Sequence, residues 1–250
     1  MVGHVTAPAA ALLDSLPSWA TLVRAPNPGP MTLDGTNTWL LRAPEGSGGY
    51  VVVDPGPLDE GHLRAVADHG PIEGILITHG HVDHTEGVPR LAELTGAPVL
   101  DLGGTFEVAG LTVHAIDTPG HTGDSVSYVI NDEAVLSGDT ILGRGTTIVA
   151  WPDGNLGQYL TSLDILRRLG SMPVLPGHGP ALGDCAAAST YYRNHREARL
   201  EQVRAALSAG ATEAIDVVRV VYADVDQVLW PAAEATVQAQ MAYLKEREKQ

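Results

Sequence analysis

This chain has little of several things. It has one cysteine in 250 residues, Cys185, which excludes an internal disulfide and fits a reducing compartment. That cysteine is expected to be an inert small side chain near a helix start. Aromatic residues make up 5%, so any core must be built mainly from Ala, Val, Leu and Ile. Basic residues number 15 against 30 acidic ones, and the formal charge of −15 repels nucleic acid and anionic membranes on average. No apolar run approaches the roughly 20 residues that span a bilayer. The opening "MVGHVTAPAAALLDSLPSW" has no basic region, and Asp14 and Pro17 interrupt its short apolar run, so it does not read as an export signal. A cytoplasmic protein is expected, with no membrane partner and no double-stranded DNA partner.

What is present suffices for a folded chain. Hydrophobic content is 44%, and the length suits one large domain or one domain with a small appendage. "TNTWLLRAP" and "YVVVDPG" read as neighbouring strands, joined by the glycine-rich turn "EGSGG". "GILITH" and "PVLDL" read as further strands. "TFEVAGLTVHAIDTPG" and "SVSYVINDEAVLSGDTIL" read as hairpins, turning at Ala109-Gly110 and Asn131-Asp132. "LDEGHLRAVADHG", "TEGVPRLAELTG" and "LGQYLTSLDILRRLG" have helical spacing, the second closed by Gly96. Two successive rounds of strands followed by helices predict sheets sandwiched between helices. From about residue 185 onward only helices are expected, with Thr212 as an N-cap and Pro231 in a first turn.

The chemistry concentrates in "THGHVDHTEG", Thr78 to Gly87, where His79, His81, Asp83 and His84 fall within six positions. Alternate residues of an extended segment share a face, so His79 and His81 project together, while Asp83 and His84 come where a helix begins. Each pair is short of the roughly four ligands that a zinc ion takes. Three glycine-flanked loops after apolar runs can supply the rest: "DTPGHTGD" with His121, "LSGDTIL" with Asp139 and "LPGHGP" with His178. The expected sets are His79, His81 and His121 for one metal, and Asp83, His84 and His178 for a second. Asp139 bridges them. Mixed imidazole and carboxylate suits zinc, with manganese or iron as alternatives.

These motifs resemble the metallo-beta-lactamase superfamily, whose signature is HxHxDH followed by His, Asp and His. The order "NPGPMTLDGTNTWLL", "THGHVDHTEG", "TPGHT", "SGDTILGRGTT", "PGHGP" is similar to that of its beta-lactamase-like protein 2 group. "HREARLEQV" and the helices after it resemble that group's winged-helix-like tail. The resemblance implies an α/β fold, an αββα sandwich over residues 1–184, with a small helical, winged-helix-like subdomain over 185–250. The stop at "LKEREKQ" implies a tail of helices alone. The resemblance also implies two zinc ions and hydrolysis by activated water, with Asp139 holding the metals and Asp83 as one candidate proton donor.

Single-stranded RNA is the first substrate expected from the resemblance, although the net charge opposes it; a small-molecule acyl thioester is the alternative. An iron-dependent oxygenase and a non-enzymatic RNA-binding module are further readings. Asn37, in "DGTNTW", is a candidate substrate contact or an ordinary turn residue. Asp54 either steadies the metal loop, as the resemblance implies, or caps a turn. "GRGTT" either offers backbone N–H groups to an anion or is a bare turn. Thr140 and Thr122, flanking ligands, are expected to hydrogen-bond around the metals, with Thr140 also a candidate for substrate. Arg193, Arg196 and Arg199 step along one helix, so Arg196 is a candidate phosphate contact, against simple pairing with Glu197 and Glu201. His4, His62, His69 and His114 have no partners at ligand spacing and are expected to be structural.

Overall fold

The computed structural model describes residues 8–46 and 48–248; His4 lies outside them. Two sheets form the centre. The first has four strands in the order β1 (Ala20–Arg24), β2 (Asn37–Leu41), β3 (Tyr50–Val53) and β4 (Ile72–Leu76). Its first two pairings are antiparallel and the last is parallel. The second has five: β5 (Thr105–Val108), β6 (Leu111–Asp117), β7 (Val126–Ile130), β8 (Ala134–Gly138) and β9 (Val174–Pro176). Here β5 to β8 form an antiparallel meander and β9 joins parallel to β8.

Strand alternation decides which side chain goes to which layer. Trp39, Leu41, Val51, Val53 and Leu76 face the second sheet and meet Leu111, Val113, Ile130, Leu136 and Leu175. Leu40, Val52 and Ile75 point the opposite way, onto Leu63 and Val66 of α1 (Glu60–Ala67) and Leu91 of α3 (Val88–Thr95). The far face of the second sheet, through Val129, Val135 and Val174, is covered by α4 (Leu156–Arg167) and α5 (Cys185–Ser208). The result is the expected αββα sandwich. Both hairpins turn where expected, with positive φ at Ala109 and Gly110 and at Asn131 and Asp132.

The tail is helical, as expected: α5 continues into α6 (Ala214–Val221), a short 3₁₀ turn and α7 (Trp230–Arg247). Its residues Val203, Val217, Val218 and Val237 belong to the same apolar cluster as Tyr159, Leu163 and Val174, so the core runs unbroken past residue 185. Among the described residues, no helix is long and apolar enough to cross a membrane. Cys185 is buried, and burial pushes its thiol up to about 12, which keeps it unreactive.

Two expectations need correction, and one strand goes unforeseen. "PVLDL" is not a strand: only Val99 bridges to Ile75, because Pro98 has no N–H to extend the ladder and the chain leaves at Gly103-Gly104. The helix "TEAIDVVRVVY" starts after Glu213 rather than Thr212, without a side-chain cap. An edge strand, β1, is formed by "ATLVR", a short run between Pro17-Ser18 and "APNPGP" that the sequence reading leaves out.

Candidate metal centre

Every element of the centre sits just beyond the C-terminal end of a strand. His79 lies three residues after β4. His81 caps the short helix α2 (Val82–Thr85), which carries Asp83 and His84. His121 comes after β6, Asp139 directly after β8, and His178 after β9. The last two ends are tied together, since Gly177 N donates to Gly138 O at 2.8 Å. Residues distant in sequence thus reach one spot.

The spot is compact. Donor atoms of His79, His81 and His121 lie within 4.8 Å of one another, as do those of Asp83, His84 and His178, and those of His79, His84 and Asp139. His81 Nδ1 is 3.0 Å from His79 Nε2 and 3.1 Å from His121 Nε2. His84 Nε2 is 3.2 Å from His178 Nε2. Asp139 reaches both groups: Oδ1 is 3.5 Å from His84 Nε2, and Oδ2 is 3.4 Å from His178 Nε2 and 3.8 Å from His121 Nε2. Asp83 Oδ2 is 3.1 Å from His178 Nε2.

The outer nitrogens of four imidazoles are engaged elsewhere. His84 Nδ1 donates to Asp54 Oδ2 at 2.8 Å, His121 Nδ1 to Ile148 O at 2.7 Å, and His178 Nδ1 to Gly35 O at 3.2 Å. Thr78 Oγ1 spends its hydrogen on Asp54 Oδ2 at 2.6 Å, so it accepts from His79 Nδ1 at 3.0 Å. With Nδ1 carrying the proton, each Nε2 presents a lone pair to the centre, the tautomer a metal ligand needs. Asp54 is nearly fully buried and also accepts from Thr78 N at 2.8 Å, so the role implied by resemblance is the one its contacts fit.

The electrostatics are those of a site built for positive charge. Burial drives His79 down to about 2 and lowers His121. Burial opposes a proton on His84 and His178 as well, yet Asp54 and Asp139 outweigh it at His84, and Asp139 and Asp83 lift His178 to about 10. Burial would raise Asp139, but His178 and His84 hold it well below the usual carboxylate range. Protons on imidazole stand in for cations here, and metal binding displaces such protons. Two further observations fit a cation. Asp139 Oδ1 is buried without a hydrogen-bond partner. A Cβ on Gly177 would land 2.5 Å from that oxygen and 2.8 Å from His84 Cε1, so the loop leaves this space to the donors.

The metallo-beta-lactamase superfamily profile matches residues 31–100 and 97–178, and that of the beta-lactamase associated winged helix domain matches 214–249. The chain belongs to the metallo-beta-lactamase superfamily. It is 34% identical to the beta-lactamase-like protein 2 homolog of Drosophila melanogaster, over 89% of this chain and 86% of that one. It is 37% identical to the atrochrysone carboxyl ACP thioesterase of Aspergillus chevalieri, over 74% of this chain but only 64% of the relative's length. The crystal structure of a metallo-beta-lactamase family protein of Thermus thermophilus superposes with a TM-score of 0.79 at 23% identity, covering 94% of this chain and 95% of that one.

Other residues singled out by sequence fall differently around this superfamily centre. Asn37 is fully buried, and its amide donates to Pro176 O at 3.0 Å and Gly179 O at 2.8 Å. It braces the loop that carries His178 and has no surface left for substrate. Thr140 is 1% exposed; its hydroxyl makes only long contacts with Thr118, while its carbonyl accepts from Tyr159 Oη at 2.7 Å, so it too is turned inward. Thr122 bonds Ser125 rather than a ligand. Thr78 does this work instead, a residue that sequence reasoning misses; its place directly before His79 is the available signal. His62 bonds Thr38 and Pro55, His69 bonds Ala65 and His114 bonds Thr105, all apart from the centre.

The arginines divide. Arg193 pairs with Asp164 and Glu197 at the surface. Arg196 and Arg199 turn inward, 2% and 6% exposed. Both line a cavity of about 260 Å³ between the centre and the C-terminal helices, together with His121, Asp139, Leu229 and Ala233. Arg144, Gly145, Thr146 and Thr147 of "GRGTT" line it too: Gly143 N donates to His178 O at 2.9 Å, and Arg144 is bound to Asp34.

Proposed function

We propose that this protein is a hydrolase that holds two divalent cations and cleaves acyl thioesters. The carrying observation is the convergence of seven imidazole and carboxylate donors beside a half-open, largely apolar cavity that two of them, His121 and Asp139, also line. In this reading His79, His81 and His121 hold one ion, Asp83, His84 and His178 the other, and Asp139 spans both. Zinc suits the donor set, with manganese or iron as alternatives. Cations bound there supply Lewis acidity and water ionised near neutral pH.

The chain's own groups do the rest. Asp54, Thr78, Ile148 and Gly35 fix the imidazoles in orientation. Water adds to the thioester carbonyl, the C–S bond breaks, and the leaving sulfur takes a proton while the acid is released. Asp83 is the more exposed of the two carboxylates, its side chain 25% exposed against 10% for Asp139, and in this reading it carries that proton.

Thioester is favoured over RNA by the location of the positive charge. Single strands are held by exposed basic tracks with stacking platforms. Here two of the three stepped arginines are buried and the third is paired with acids. A relative that is 37% identical is named as an acyl-carrier thioesterase.

The test is a screen of acyl thioesters and labelled single-stranded RNA with metal-loaded protein beside His81→Ala, with metal content and oxygen uptake measured in parallel. Thioester turnover that disappears in His81→Ala is expected. RNA cleavage without thioester turnover would transfer the reading to phosphodiesters, metal-dependent oxygen uptake would transfer it to an oxygenase, and undiminished turnover in the variant would remove the metal mechanism.

A further inference from the structure

A chain with twice as many acids as bases keeps its positive charge at an unexpected address. Three arginines line the cavity beside the centre, Arg144, Arg196 and Arg199, against one carboxylate, Asp139. Arg144 is neutralised by Asp34. The other two are not. Among the described residues, no carboxylate lies within ion-pair distance of Arg196 or Arg199, whereas Arg64, Arg90, Arg167, Arg193, Arg204 and Arg219 each have one.

What the two buried guanidiniums touch is neutral. Arg196 donates to Thr147 O and lies 5.4 Å from the centre of the Tyr159 ring. Arg199 donates to Gln202 Oε1 at 3.0 Å and Val221 O at 2.8 Å, and lies 4.7 Å from the centre of the Tyr222 ring. The Nε of each is buried with no partner at all. Carbonyls and ring faces orient a guanidinium but leave its charge uncompensated, and a buried charge without a counter-ion is costly unless something supplies one. Two such groups one helical turn apart, both on one cavity, are a fork for an anion.

The rest of the cavity says what that anion is attached to. Val225 and Leu229 from the connection between α6 and α7, with Ala233 of α7, present an apolar wall, and His121 and Asp139 lie on the same cavity. A ligand that satisfies all of this has an acidic head, an apolar spacer and a reactive carbonyl. We infer that Arg196 and Arg199 form an anion subsite, and that the thioester taken by this protein is the half-ester of a diacid, its free carboxylate held by the two arginines. The thioester end of this inference rests on the function proposed above; the subsite does not.

The probes are matched six-carbon thioesters of N-acetylcysteamine, hexanoyl and adipoyl, and, for binding alone, adipate and its uncharged diamide, adipamide. Metal-loaded protein is expected to prefer adipoyl by at least about tenfold in kcat/KM, the worth of a hydrogen bond to a charged group. Arg199→Met and Arg196→Met bring that ratio toward one, and Arg199→Lys restores part of it. Equal turnover of the two esters by the unmodified protein, or a ratio that survives both methionine variants, would overturn the inference. Calorimetric titration of the metal-free protein reads the subsite alone: adipate binds, its uncharged diamide adipamide does not, and Arg199→Met abolishes the difference. That result with no turnover of any thioester removes the proposed reaction and leaves the subsite standing. Adipate that binds no better than adipamide removes the subsite, whether or not a variant folds. Single-stranded RNA that displaces adipate through both arginines would assign the pair to phosphate and overturn the carboxylate.

Discussion

Asp54 Oδ2 accepts a hydrogen bond from His84 Nδ1 at 2.8 Å, with both side chains sealed from solvent. The carboxylate takes three donors in all, two of them from Thr78, and so ties the end of β4 to α2. Asp54 itself has φ 54°, a left-handed conformation that asparagine also tolerates. Asp54→Asn therefore keeps the backbone but puts an NH₂ where acceptance is needed. Metal affinity is expected to fall by roughly 10- to 100-fold. A competition titration against a chelator measures it, and an unchanged constant would show that Asp54 merely shapes a turn.

Gly177 gives a second handle on the centre. Alanine there would push a methyl against Asp139 and His84. Overpacking of this kind costs about 1–3 kcal/mol. Gly177→Ala should lose bound metal as well as melting temperature. Gly103→Ala, where an added Cβ meets nothing within 4 Å, is the control and should change neither. Mass-spectrometric metal content separates the two variants; equal content in both would refute the steric argument.

Gln240 on α7 is 1% exposed, and neither its Nε2 nor its Oε1 has a partner. Replacing an unsatisfied buried amide with a side chain of similar shape removes a desolvation penalty of about 1–3 kcal/mol. Gln240→Met should raise the urea midpoint of unfolding. A lower midpoint would mean that the amide is satisfied in solution.

His195 titrates in the opposite sense to a salt-bridged histidine. Burial first, then the charges of Arg196 and Arg199, lower it to about 4, while the unfolded chain keeps the ordinary value near 6.5. Between these pH values the unfolded state binds more protons, so stability rises with pH. The contribution is complete above about 6.5 and is lost as pH falls toward 4. His195→Gln should flatten the stability profile across that window while leaving it parallel to the parent's above it. Unfolding curves at intervals from pH 7 to 4.5 are the measurement, and parallel profiles throughout would contradict the assignment.

The metal centre was legible because its residues obey local rules. Each of the three outlying donors comes after an apolar strand and sits beside glycine, and strand ends in a sandwich meet along one edge. The layers were legible for a similar reason, since period-two patterns in β2 and β3 sort their side chains between faces. Asn37 and Thr140 misled because residue type says that a side chain can hydrogen-bond but not which way it faces; both turn inward, Asn37 onto two backbone carbonyls. The arginines are legible only in part. Spacing along α5 places them near one another, but which of them meets water and which meets the cavity depends on contacts some thirty residues away. The cavity, assembled from five separate stretches of chain, has no signature in any one of them.

Leu229 and Ala233 come from a part of the chain that donates nothing to the cluster of histidines. Selectivity and reactivity therefore sit on separate segments, and can drift at separate speeds. Substitutions from α5 onward can open, shorten or recharge the chamber while the cluster of imidazoles and carboxylates stays as it is.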